Sequence, residues 1–214
     1  MTTHTSGNDG LGKHRIEALS DGIFAIAMTL LVLDVRVADI PEELAAPGFL
    51  GRMLLGLWPK FLCFAMSFLI LGLFWIAHHG YSHFIKRSDR YFLWLNLLFL
   101  LVVVCVPFSA DLLGHYPNHR IPAMVYGANI MLLGVTLYWQ WWYATSKHRL
   151  VGAQLEKELI QKGKNRIMLG FVANGCAMLL ALWNPAVSLI LYIVFPIIYL
   201  MPSKLDGHWT HSHD

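Results

Sequence analysis

The sequence predicts an all-α, polytopic membrane protein with six transmembrane helices in a single domain spanning residues 1–214. Three observations carry that prediction. First, 57% of the 214 residues are apolar, only 14% are charged and the mean hydropathy is +0.53. Soluble domains carry about a quarter charged residues and under half apolar ones, and a chain of this length leaves roughly 30% of its surface facing water. Second, six stretches have the length and apolarity of membrane helices, about 17 to 25 residues each. Third, the few basic residues are unevenly divided between alternate loops.

The six spans are read at residues 16–37, 53–77, 91–112, 121–143, 166–184 and 186–202. The first is the most polar and contains Ser20-Asp21 near its start. The second ends in FWIAHHGYSH, the third carries Asn96 near its beginning, and the fourth closes on a cluster of aromatic residues. Between the fourth and fifth, residues 148–165 combine helix formers with spaced charges, which predicts a helical extension outside the membrane. The last two spans are separated by Asn184-Pro185, and the residue before proline is pushed out of the α region, which predicts a tight helical hairpin. Trp58, Tyr91, Trp94, Tyr138, Trp139, Trp141, Trp142, Tyr143 and Tyr199 fall largely near span ends, as an interfacial belt requires. Cleavage of the first span as a leader, near Val37-Ala38-Asp39, is disfavoured by the polar pair inside it and the spans that follow.

Orientation follows from the loop charges. Twelve Lys and Arg residues lie in the N-terminal segment, the second and fourth loops and the tail; four (Arg36, Arg52, Lys60 and Arg120) lie on the other side. The positive-inside rule then places both termini in the cytoplasm of a multi-pass protein of the cell membrane. A net charge of +3 without a basic stripe suits loops beside anionic lipid and excludes a nucleic-acid footprint. No GxGxxG, Walker, GxSxG or HExxH pattern occurs, and the loops are too short for a nucleotide fold, so no enzyme activity and no cofactor is expected. Cys63, Cys105 and Cys176 lie in apolar runs without metal-ligand spacing, and no disulfide is expected. Histidine pairs at four-residue spacing (His79 and His83, His115 and His119) and the tail residues His208, His211, His213 and Asp214 fall short of the three or four ligands a zinc site needs, so no metal site is expected.

Ionisable groups at membrane depth are costly and point to function. The first span holds Arg15, Glu17, Ser20, Asp21 and Thr29. At 100° per residue, Leu19, Gly22, Thr29, Leu30 and Leu33 lie within about 60° of Ile26, whereas Ser20 and Asp21 lie on the far side. Trp75, His78, His79 and Asn96 come from the same membrane depth and are the expected polar partners of Ser20 and Asp21. The face around Ile26 suits helix packing or lipid contact, and it equally suits a pore narrowed by a hydrophobic constriction; periodicity does not choose between them. Three functions stay open at this level: a channel, a proton-coupled secondary transporter using Asp21 with His78 or His79, and a non-conducting structural membrane protein.

The segment Arg15 to Gly22, RIEALSDG, followed by IFAIAMTLLVLD, resembles the opening helix of the lysosomal potassium channel family and its prokaryotic homologues, the transmembrane protein 175 type. Arg15, Ser20 and Asp21 match the family's R-x-x-x-F-S-D, with Leu19 in place of the phenylalanine, and the FWxxHH end of the second span also matches. The resemblance implies a homotetrameric potassium channel without a TVGYG filter, its first helices lining the central pore. Carried over residue by residue, Ile26 is the hydrophobic constriction, with Thr29, Leu30 and Leu33 on the pore face and Thr29 the polar candidate for a weak K+ preference. Arg15, Ser20 and Asp21 tie the helix to Trp75, His78, His79 and Asn96. K+ is the implied permeant ion, and other copies of the chain and the lipid bilayer are the implied partners.

Overall fold

The computed structural model describes residues 8–36 and 48–200, and these are helical apart from short connections. Eight α-helices follow in order: α1 (Asn8–Leu33), α2 (Phe49–Gly56), α3 (Trp58–Phe84), α4 (Arg90–Val104), α5 (Val106–His115), α6 (Arg120–Thr145), α7 (Lys157–Ala181) and α8 (Pro185–Leu200). Val37-Ala38-Asp39, Lys204, the tail histidines and the Tyr199 side chain lie outside what is described.

Among the described residues, four helical stretches are long and apolar enough to cross a membrane: Lys13–Asp34, Trp58–Phe84, Arg90–His115 and Arg120–His148. The third of these is α4 and α5 together. Pro107 has no N–H to give to the Val103 carbonyl, and its ring crowds that carbonyl, so the helix breaks at Cys105 and resumes at Val106. The fifth and sixth expected spans correspond to α7 and α8. Five charged residues fall among the first ten positions of α7, leaving Ile167–Ala181 as its apolar part, about 22 Å at 1.5 Å per residue. The 16 residues of α8 reach about 24 Å, so both fall short of a hydrocarbon core about 30 Å thick.

Two expectations are corrected. The second span does not end near residue 77 but runs on to Phe84, so Trp75 and His78 lie within α3. The helical extension expected over 148–165 starts only at Lys157. Lys147 and His148 take left-handed backbone conformations (φ 54° and 53°) that end α6. The backbone that follows pairs elsewhere: Lys86 N donates to the Leu150 carbonyl at 2.8 Å, and Ile85 bridges to Val151. Leu150 and Val151 then bury against Ile85, Phe92 and Ala144, which a solvated helix there would expose.

One continuous core joins α1, α3 and α4–α5 to α6–α8. Phe24, Ala27 and Leu31 are the apolar residues by which α1 enters it. At Gly127 on α6, a Cβ would collide with the Tyr192 hydroxyl of α8 and come within 3.0 Å of Met178 Cβ on α7. That hydroxyl donates to the Ala123 carbonyl at 3.2 Å. Gly127→Ala therefore forces Tyr192 off its acceptor and should cost about 1–3 kcal/mol, the usual range for overpacking. Gly134→Ala on the same helix meets nothing within 4 Å and should be neutral. Thermal unfolding of the two variants in detergent makes the comparison, and equal midpoints would refute it.

Candidate ion pathway and its polar anchor

The first helix presents two unlike faces because its sequence places them at different angles. Ser20, Phe24, Ala27 and Leu31 recur at spacings of four, three and four and are buried. Leu19, Gly22, Ile26, Thr29, Leu30 and Leu33 lie on the opposite, exposed side, Ile26 at 60% and Leu33 at 52% exposure. No other described helix of the protomer covers that face. Between Gly22 and Leu33 it holds no titratable side chain. The Thr29 hydroxyl donates to the Ile26 carbonyl at 2.8 Å, so what its oxygen offers outward is lone pairs.

The buried side is anchored by a chain of hydrogen bonds across three helices. Ser20 Oγ donates to the Ile16 carbonyl at 2.9 Å and accepts from Asn96 Nδ2 at 3.2 Å. Asn96 Oδ1 in turn accepts from His78 Nε2 at 2.9 Å. Because an amide oxygen only accepts, this contact assigns the proton to His78 Nε2. Ser20 is 1% and Asn96 2% exposed. Away from water every one of these groups needs its partner, which is why a serine, an asparagine and a histidine from α1, α4 and α3 converge.

Asp21 does not share the environment of Ser20. Consecutive helical residues point about 100° apart, so Ser20 enters the core while Asp21 stays at the rim. There Trp75 Nε1 donates to Asp21 Oδ1 at 2.8 Å, and His79 stacks on Trp75 with centroids 5.7 Å apart. Arg15 is exposed six residues earlier. The structure thus brings Ser20, Asp21, Trp75, His78, His79 and Asn96 into one neighbourhood and leaves Arg15 at its edge.

Two groups escaped the sequence reading. Phe24, His78 and Phe99 form a ring cluster: His78 lies nearly parallel to Phe99 with centroids at 5.1 Å, and Phe24 is tilted 5.8 Å from Phe99. This locks the same three helices in register through apolar contact, and Phe24 and Phe99 carry no mark within their apolar runs. At the opposite end of the bundle, Lys60 Nζ donates to His115 Nε2 at 2.7 Å, and His115 Nδ1 lies 2.7 Å from Asp111 Oδ1. His115 is thereby engaged with Lys60 and Asp111, on α3 and α5.

Residues 15–107 match the family model for the endosomal/lysosomal potassium channel TMEM175. A potassium channel of Streptomyces collinus is 33% identical over 160 residues, which are 73% of this chain and 76% of that one. The human endosomal/lysosomal proton channel TMEM175 is 35% identical over 106 residues, 48% of this chain and 21% of its own length. Among solved structures, the crystal structure of a lysosomal potassium-selective channel TMEM175 homologue from Chamaesiphon minutus superposes with a TM-score of 0.77 at 29% identity, covering 88% of this chain and 96% of that one.

Proposed function

Because this chain belongs to the TMEM175 family of ion channels, we propose that four copies assemble into a potassium channel of the cell membrane, with α1 of each lining a central pore. The observation that carries this reading is the division of α1: one face anchored to α4 by the buried Ser20–Asn96 bond and to α3 by the Trp75–Asp21 bond at the rim, the other uncovered, apolar and interrupted only by Gly22 and Thr29. Four such faces around an axis enclose a path whose narrowest ring is Ile26. The reading includes six crossings with both termini in the cytoplasm; the short α7–α8 hairpin is accommodated by local thinning of the bilayer.

Conduction then proceeds by dehydration. A hydrated ion enters past Gly22, sheds part of its shell at the Ile26 ring, meets the Thr29 hydroxyl oxygens and leaves past Leu33. K+ is favoured over Na+ because it gives up water more easily, and selectivity stays modest because the face contains no set of carbonyls to replace the lost shell. The relative from Streptomyces collinus is named a potassium channel and the human one a proton channel. Potassium is the better reading here, since Gly22 to Leu33 contains no titratable side chain to hold a proton.

Bi-ionic K+/Na+ flux in liposomes holding the Leu33→Cys chain tests conduction and assembly together. K+ flux should exceed Na+ flux by a small factor, and oxidation should link neighbouring copies and reduce both, with recovery on adding a thiol. The parent chain, with Cys105 and Cys176 exposed and Cys63 buried, should not respond. Absence of passive K+ flux removes the channel reading; unchanged flux in fully crosslinked copies moves the pore away from α1.

A further inference from the structure

Between α3, α6, α7 and α8, away from the face of α1, lies a narrow, partly open crevice that encloses about 60 Å³ and opens outward along its side. Its walls include Ile70, Phe74, Leu137 and Phe171. Room exists because α6 and α7 present glycines to it: a Cβ on Gly134 meets nothing within 4 Å, and one on Gly170 only the Phe195 ring at 3.9 Å. The crevice is charged at one end alone. Arg166 lines it there, near Tyr81, whose hydroxyl donates to the Gly163 carbonyl at 3.2 Å. On the preceding turn of α7, Lys162 is paired with Glu158 at 2.9 Å, and Lys164 follows it in sequence. From Tyr81 down α3 to Ile70 the lining runs about 16 Å, eleven residues at 1.5 Å each. At the inner end the Asn174 amide donates to the Gly170 carbonyl at 2.8 Å.

We infer that this crevice holds one acyl tail of an anionic phospholipid, with the lipid phosphate on the Arg166 guanidinium. An apolar slot that opens between membrane helices and ends at an arginine complements a lipid molecule, which is apolar along its length and anionic at one end. Guanidinium presents forked donors that match a phosphate, and basic pockets between transmembrane helices are suited to anionic headgroups. The Cβ-free wall at Gly134 and Gly170 is what a tail requires and what any larger side chain would fill. A lipid seated there wedges α3, which carries Trp75 and His78, against α6–α8, so bilayer composition acts on the helix that anchors α1.

The test is lipid retention by the 214-residue chain, exchanged into phosphatidylcholine vesicles with or without phosphatidylglycerol, re-extracted and weighed by native mass spectrometry. The parent chain should retain about one phosphatidylglycerol per copy. Gly134→Leu should lower that retention at least fivefold, and Arg166→Gln should remove the preference for phosphatidylglycerol while leaving phosphatidylcholine bound. Retention of neither lipid by the parent chain, or equal phosphatidylglycerol retention by the parent and Arg166→Gln chains, overturns the inference. An intact oligomer with no lipid means that a neighbouring copy fills the crevice, which overturns it equally. If Gly134→Leu does not fold, the parent and Arg166→Gln chains still decide the matter. The readout is binding, so a failure of conduction does not affect it.

Discussion

Replacing Ile26 with asparagine is expected to raise K+ flux about tenfold and to bring the K+/Na+ ratio close to one. The barrier at an apolar ring is the cost of stripping water from an ion where nothing replaces it, and hydrophobic constrictions restrict passage by dewetting. An amide offers an oxygen to the cation and keeps the ring wet. A drop of about 1.4 kcal/mol in that barrier is a factor of ten in rate. Ile26→Ala should act in the same direction through width alone, and less strongly, because the wider ring is still apolar. Both are measured against the parent chain by tracer flux in liposomes. Because Ile26 is 60% exposed, neither change should disturb folding, so unchanged flux and selectivity would remove this residue from the ion path.

Asn96→Leu should have the largest effect on stability. The side chain occupies the middle of the chain from His78 through Asn96 to Ser20. Leucine fills similar space and serves neither neighbour, so His78 Nε2–H loses its acceptor and Ser20 Oγ loses a donor. Leaving a buried polar group unpaired costs about 1–3 kcal/mol, whereas hydrogen bonds between membrane helices are worth about 0.6 kcal/mol on average. A loss of roughly 2–3 kcal/mol is therefore expected, dominated by the orphaned histidine. Trp75→Phe, which removes only the rim contact to Asp21, should cost well under half of that. Unfolding in detergent compares the two, and a double-mutant cycle between Ser20→Ala and Asn96→Leu isolates their coupling. Equal losses for Trp75→Phe and Asn96→Leu would show that the buried chain does not dominate the anchoring of α1.

How far the site was legible differs from residue to residue. Ser20, Asp21, His78 and Asn96 stand out because polar groups within apolar runs are costly and need a reason. Pairing them is another matter: spacing puts Ser20 beside Asp21, yet a rotation of about 100° per residue sends one into the core and the other to the rim. Phe24 and Phe99 were invisible, since a phenylalanine in an apolar run has no signature until its neighbour is known. The spacing of 100° per residue set the Ile26 face of α1 apart from Ser20 and Asp21, but could not say whether a neighbouring helix covers the Ile26 face.

The amino-acid sequence by itself determined that this chain lives in lipid, where its helices run, and that its first helix is the polar one, because these follow from local apolarity and the cost of burying charge. It also marked the hairpin at Asn184-Pro185, through the backbone restriction that proline imposes. Only the tertiary structure decided where the second span ends, why residues 149–156 leave the helix, that α4 and α5 are one broken span, and which face of α1 is left uncovered. Those outcomes depend on partners distant in sequence: Lys86 for the Leu150 carbonyl, Asn96 for Ser20, Trp75 for Asp21. Periodicity records how a helix divides its own residues, and it contains no term for what the next helix brings.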